Sequence, residues 1–323
     1  MKTPGVLETT KAVIDQAQSV RINRSKIAEL CAQWSKEPFA TPPWDEYVHM
    51  TSDDPQKLAN YILVLDCLNF CFWPDPGQTR WQIEYKGQLM GGYQALAASL
   101  KRAAEEGIPI TDAAWLAQAS ASDLRRVFRG QGEIPLMERR VFNVNEVGNV
   151  LSAKYRGQFA YAIESCRHSA VDLVELLARE FSSFNDIAVY KGRQVRIFKR
   201  TQITVVDLFG SFHGQGLGRF DDISALTAYA DYKIPQVMRA LGILEYAPEL
   251  AAKVDAQELL PPGSEEEVEI RASMIWAVEY ICRELSRLGA PRAPYELDWF
   301  LWNLGQRQLP DERPYHRTRT YFY

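Results

Sequence analysis

Asp231 stands in the apolar stripe of the segment Asp221–Leu244, with Leu226, Tyr229, Ala230, Val237 and Leu241 at helical spacing around it. Pro235 follows four residues later. It lacks the amide that would bond to the Asp231 carbonyl, and its ring presses on that carbonyl. The pattern predicts a helix over 222–241, opened by Asp222, that kinks or restarts beside Asp231. A carboxylate at such a break is placed for catalysis; a surface aspartate beside a harmless kink is the plainer alternative. A second polar island lies in Leu63–Asp75, where Asp66 and Asn69 sit one turn apart in an apolar helix and Phe70, Phe72 and Trp73 follow before Pro74. Burying either polar group without a partner costs roughly 1–3 kcal/mol, so both require hydrogen bonds. The three rings suit either a wall that stacks a planar ligand or ordinary core. A third island is Glu296–Gln306, where Asp298, Trp299 and Trp302 share one helix face and Gly305 is a natural C-cap. The tail beyond it interleaves aromatics with Arg313, Arg317 and Arg319. Lys199 and Arg200 precede an apolar run containing Asp207, although most lysines in such positions are solvated.

Helical periods supply most of the elements that would carry these groups. Asp54-Pro55 caps a helix running to about Phe70, and further helices are predicted over 91–106, 111–118, 122–129, 135–151, 158–167, 169–180, 203–212 and 266–288. Arg80–Lys86 alternates Trp81, Ile83 and Tyr85 and reads as a strand, with Val189–Ile197 a weaker one. The expected fold is mainly α, one helical domain over 1–323 with a small β element. Gly214–Gly218 lacks the Lys-Ser/Thr of a phosphate loop and reads as a turn.

Composition narrows the function. A net charge of −4 argues against a general grip on DNA or RNA, which normally requires a basic excess. It leaves room for a small anionic ligand held by two or three local cations. Cys31, Cys67, Cys71, Cys166 and Cys282 form no Cys-x-x-Cys pair, and His49, His168, His213 and His316 have no ligand spacing, so no metal site is expected. The N-terminal stretch lacks an apolar signal core and no run is apolar enough to span a bilayer, which points to a cytoplasmic protein with no membrane partner.

Five stretches together resemble the queuosine salvage protein family. They are Leu68-Asn69-Phe70-Cys71-Phe72-Trp73, Lys199-Arg200-Thr201-Gln202, Tyr229-Ala230-Asp231-Tyr232-Lys233-Ile234-Pro235-Gln236-Val237, Glu296-Leu297-Asp298-Trp299 and His316-Arg317-Thr318-Arg319. Members of that family release queuine, a 7-deazaguanine base, from queuosine 5′-monophosphate, using an all-α fold similar to that of helix-hairpin-helix DNA glycosylases. The resemblance implies that Asp231 stands beside C1′, where a carboxylate stabilises the oxocarbenium-like transition state, activates water or attacks directly. Lys199 resembles the glycosylase lysine, acting covalently or as a cation near the phosphate. Phe70, Phe72 and Trp73, with Trp299 and Trp302, are the implied ring contacts, and Asp298 is the partner for guanine-like N–H groups. Asn69, His49 and Tyr232 are further pocket candidates, and Arg317 a phosphate ligand. The implied reaction uses no cofactor, and its partner is the small-molecule nucleotide rather than a stable nucleic-acid complex. Two rivals stand beside it: a non-catalytic binder of a modified nucleoside or tRNA, and a DNA glycosylase. The acidic charge balance counts against nucleic acid in both.

Overall fold

Apolar helical periodicity does build most of this chain, as the computed structural model shows for the residues it describes, 5–36, 44–307 and 309–323. The helix Glu265–Arg287 runs through the middle, with side chains such as Ile270, Met274 and Ala277 fully buried. Its start follows from the sequence: the Ser264 hydroxyl accepts the Glu267 amide, and Glu265, Glu266 and Glu267 occupy the first turn, where the helix dipole favours negative charge. Against it lie Val6–Ile14, Arg24–Trp34 and Pro294–Leu304. A second group of helices, Pro55–Cys67, Met137–Lys154, Phe159–Ser165, Ala170–Glu180 and Lys199–Ser211, packs together. The fold is mainly α, and no helix of the described residues is long and apolar enough to cross a membrane.

Among the described residues, three two-stranded antiparallel ribbons make up the β-sheet structure. Gln82–Tyr85 pairs with Gln88–Gly91 across Lys86 and Gly87, both at positive φ. Such a pair of residues gives the tight hairpin turn that matches strand twist. The predicted strand 189–197 is a whole hairpin of the same kind, Ile187–Tyr190 with Arg193–Arg196, turning at Lys191 and Gly192. Val20–Ile22 pairs with Leu244–Tyr246.

The largest departure from expectation lies around Asp231. No helix runs from 222; Ile223–Ala225 is a short 3-10 turn, the chain then continues without helix to Tyr232, and a helix begins only at Lys233–Ala240. Pro235 sits in its first turn, where a missing amide costs nothing. Pro235 therefore marks a beginning where a break within a helix had been expected. Helix 203–212 begins earlier than its apolar period, at Lys199, because its first amide is capped from outside: Lys199 N–H donates to the Asp186 carboxylate at 3.2 Å.

Candidate active site

Lys199 and Asp231 are brought together by one buried ion pair. Asp186 receives the Lys199 amide, and its carboxylate is gripped by Arg271 at 2.6 and 3.0 Å. Arg271 Nε in turn donates to the carbonyl of Ala230, at 3.1 Å. The backbone leading into the lysine and the backbone leading into the aspartate are thus tied to the two members of a single salt bridge. Phe198, just before Lys199, has φ 54°, a left-handed conformation that a bulky residue adopts only when its surroundings impose it.

Asp231 Oδ1 accepts the amides of Lys233 and Ile234, each at 2.9 Å, so it caps the helix whose first turn holds Pro235. Its second oxygen takes no hydrogen bond from the described residues. Burial pushes the Asp231 carboxyl up, while the Lys199 charge and the two amides hold it down. Lys199 is pulled down by burial and supported by the charges of Asp231 and Asp66. Its Nζ donates to the carbonyl of Asn69 at 3.2 Å. Asn69 lies just beyond the helix Pro55–Cys67, in a stretch held by two buried guanidiniums. Arg140 donates to the carbonyls of Leu68, Phe70 and Cys71, and Arg200 to those of Asp66 and Cys67, satisfying the open carbonyls of a helix end. Asp66 itself is buried beneath Lys199. Burial pushes its carboxyl up to about 7, with Lys199 opposing, and no hydrogen bond of good geometry reaches either oxygen.

Two cavities meet at this pair. Asn69, Tyr93, Gln94, Lys199, Asp231 and Trp302 line both. The inner one, about 250 Å³, is walled by Trp44, His49, Trp299, Asp207 and Asp298. His49 stacks on Trp44 with centroids 4.0 Å apart. Asp298 accepts the Tyr229 amide at 2.8 Å, yet burial pushes its carboxyl well above the usual range. Burial does the same to Asp207, and the nearby Asp66 charge adds to it. The outer cavity, about 670 Å³, carries Arg80, Lys233, Arg307 and Arg313 in addition to Lys199, with Glu312 and Asp231 as its acidic groups among the described residues. Phe70, Phe72, Trp73 and the Tyr232–Tyr315 pair form its wall.

Each sequence candidate therefore has a place. Asp231, Lys199, Asn69 and Trp302 stand at the junction, His49, Asp298 and Trp299 in the inner cavity, and Phe70, Phe72, Trp73 and Tyr232 in the outer. Arg317 lines neither; its guanidinium lies over the Trp73 ring at 5.3 Å. Trp73 also carries Arg319 at 4.1 Å, and Phe70 carries Arg140 and Arg200 at 4.3 and 5.3 Å. These rings therefore already serve protein cations as well as lining the outer cavity. Gly305 ends its helix at φ −71°, so its glycine is not required for a left-handed turn. A Cβ there would meet Val237 Cγ2 at 2.5 Å, so the glycine allows the Trp302 helix to approach the Lys233 helix.

Arg80, Tyr93, Asp207 and Lys233 were not among the site candidates. Only Asp207 left a usable signal, because Lys199, Ile203 and Asp207 recur every four residues and all three line the inner cavity. Among the described residues no cluster of three or more His, Cys, Asp or Glu is arranged to hold a metal ion.

Residues 48–323 match the family model for queuosine salvage protein. A queuosine 5′-phosphate N-glycosylase/hydrolase from Sphaerobacter thermophilus is 49% identical over 319 residues, covering 99% of this chain and 98% of its own length. The mouse protein of that name is 34% identical over 98% of this chain and 96% of its own, and the one from Schizosaccharomyces pombe 34% identical over 93% and 91%.

Proposed function

This chain belongs to the queuosine salvage protein family, and on that premise we propose that it hydrolyses the N-glycosidic bond of queuosine 5′-phosphate, releasing the 7-deazaguanine base queuine for salvage. The observation that carries the reading is the meeting of two unlike cavities at Lys199 and Asp231. The inner one offers indole faces and carboxyls to a planar base with N–H donors. The outer one offers Arg80, Lys233, Arg307 and Arg313 to a phosphate. A nucleotide laid across both has its C1′ at the junction.

In this pose Asp231 Oδ2 faces the sugar. Positive charge grows on C1′ as the bond to the base stretches, and a carboxylate in a water-poor site stabilises it more than bulk water would. The same oxygen accepts a proton from the water that adds to C1′. Lys199 favours the ionised form of Asp231 against the pull of burial, and in this pose its ammonium holds the sugar from the opposite side. The Arg271–Asp186 pair fixes the spacing of the two. A lysine and an aspartate joined by a mainly α scaffold is also the arrangement that suggests the likeness to helix-hairpin-helix DNA glycosylases.

The test is to incubate the purified protein with queuosine 5′-phosphate and follow the free base by chromatography. Release by the wild type and none by Asp231→Asn is the expected result. Saturable binding without release by the wild type would make the protein a carrier or sensor of the nucleotide.

A further inference from the structure

A 7-deazaguanine base leaves C1′ with the bonding electron pair, and it has no N7 to take up a proton. The groups assigned so far act on the sugar. Asp207 stands elsewhere, on the wall of the inner cavity two helical turns beyond Lys199, a rise of about 12 Å along the axis. We infer that Asp207 is held as a neutral carboxylic acid by a hydrogen-bonded chain through Tyr93 and His49, and that it is the general acid for the departing base. This rests on the assignment of the inner cavity to the base.

The protonation state follows from counting hydrogens along the chain. His49 Nδ1 lies 2.8 Å from the backbone carbonyl of Asp45. A carbonyl only accepts, so Nδ1 carries a hydrogen. Burial holds the ring down to about 4, outweighing the Asp45 carbonyl and charge that favour protonation, so the imidazole is neutral at pH 7 and Nε2 is an acceptor. Tyr93 Oη, 2.9 Å from Nε2, must therefore spend its one hydrogen on the histidine. Toward Asp207 Oδ2, at 3.4 Å, the tyrosine then presents only a lone pair. An ionised Asp207 would oppose lone pair to lone pair; a protonated one donates.

Asp66 and Tyr61 face Asp207 from the helix Pro55–Cys67, Tyr229 from the stretch before Asp231, and Tyr93 and His49 from across the cavity. Lys199, on Asp207's own helix, opposes protonation, as would the Tyr93 hydroxyl were its hydrogen turned to Asp207 and not to His49. Burial and the Asp66 charge prevail over both, and the carboxyl lies well above its ordinary range.

The step balances without an outside reagent. The C1′–N bond breaks with its electron pair moving into the base. The base's carbonyl oxygen, conjugated to that nitrogen, takes the Asp207 proton and leaves Asp207 a carboxylate. Water adds its oxygen to C1′ and gives a proton to Asp231. The base leaves as the enol and returns to the keto form in solution. Asp207, which lines the inner cavity, regains its proton before the next turnover from water that enters once the base has left. Asp207 is the catalytic residue here, while Tyr93 and His49 position it and hold its proton.

The test compares two leaving groups. Asp207→Asn and wild type are assayed on queuosine 5′-phosphate and on p-nitrophenyl ribofuranoside 5-phosphate, whose phenolate departs without a proton. The inference predicts a kcat loss of about a hundredfold or more on the nucleotide and less than about threefold on the nitrophenyl compound. Tyr93→Phe removes the acceptor of the Asp207 hydrogen, so the alkaline limb of its kcat–pH profile on the nucleotide moves to lower pH. Infrared difference spectra at pH 7 provide a readout independent of turnover. Wild type minus Asp207→Asn contains a protonated-carboxyl C=O band that shifts in Tyr93→Phe. Equal losses on both substrates, or no such band, overturn the inference. A wild type that binds queuosine 5′-phosphate and never releases its base removes the parent reading and this one with it. An active wild type with an equally active Asp207→Asn removes only this one.

Discussion

The inner cavity is made of indoles, a neutral histidine and carboxyls that burial pushes toward the protonated form; the outer one is made of tyrosines, partly exposed cations and rings already stacked against arginine. They touch the same lysine and aspartate from opposite sides. The difference teaches which end of a nucleotide each can hold. A carboxyl pushed toward its neutral form by burial can accept an N–H group with less charge to desolvate. A phosphate needs cations and tolerates water beside it. The junction is where the environment changes from one to the other, so in the proposed pose charge developing on C1′ is felt by Asp231 with little screening.

Asp231→Asn probes the junction and has the largest expected effect: kcat for base release falls at least about a thousandfold, while calorimetric affinity for the nucleotide is kept. Retained turnover would move the catalytic role into one of the cavities. Lys199→Met removes the charge that opposes burial at Asp231, so the acidic limb of the kcat–pH profile shifts to higher pH; an unmoved limb would detach Lys199 from Asp231. Two tryptophans separate the walls. Trp302→Ala, at the junction, should weaken nucleotide binding by about 1–3 kcal/mol. Trp73→Ala should leave affinity near wild type and lower stability by about 3 kcal/mol, because that ring is buried among protein cations. The reverse outcome would put the base in the outer cavity. Arg80→Met should raise KM for queuosine 5′-phosphate about tenfold, equivalent to one charge-assisted contact, and leave KM for queuosine unchanged. The smallest effect concerns stability. Asp207 has a folded pKa above its unfolded one, so it favours the native state below about pH 4 and disfavours it as pH rises. The melting temperature of Asp207→Asn relative to wild type should therefore climb between about pH 4 and 7; a flat difference would mean an ionised Asp207.

The sequence carried much of this arrangement, unevenly. The carboxylate of Asp231 was conspicuous through Pro235, although the proline begins a helix there where a kink had been expected. The Asx-type cap that replaces the expected helix is local, but the nonhelical chain before it depends on Arg271, forty-one residues away and holding the Ala230 carbonyl. Lys199 was readable as a cation beside an apolar run. Its place as first residue of a helix was not, because its amide is capped by Asp186 across a hairpin. Phe70 and Trp73 were visible as aromatics, but the guanidiniums that occupy them come from distant segments, Arg140, Arg317 and Arg319. Arg80 lies just before a strand and Tyr93 in the first turn of a helix, and only tertiary structure brings them to the site.

The most direct test of a nucleotide spanning both cavities is a crystal structure of Asp231→Asn soaked with queuosine 5′-phosphate. The two-cavity arrangement predicts the base between Trp302, Trp299 and His49 with its carbonyl edge toward Asp207, the phosphate among Arg80, Lys233 and Arg313, and C1′ beside residue 231. A base lying against Phe70 and Tyr232, with the phosphate in the inner cavity, would contradict it.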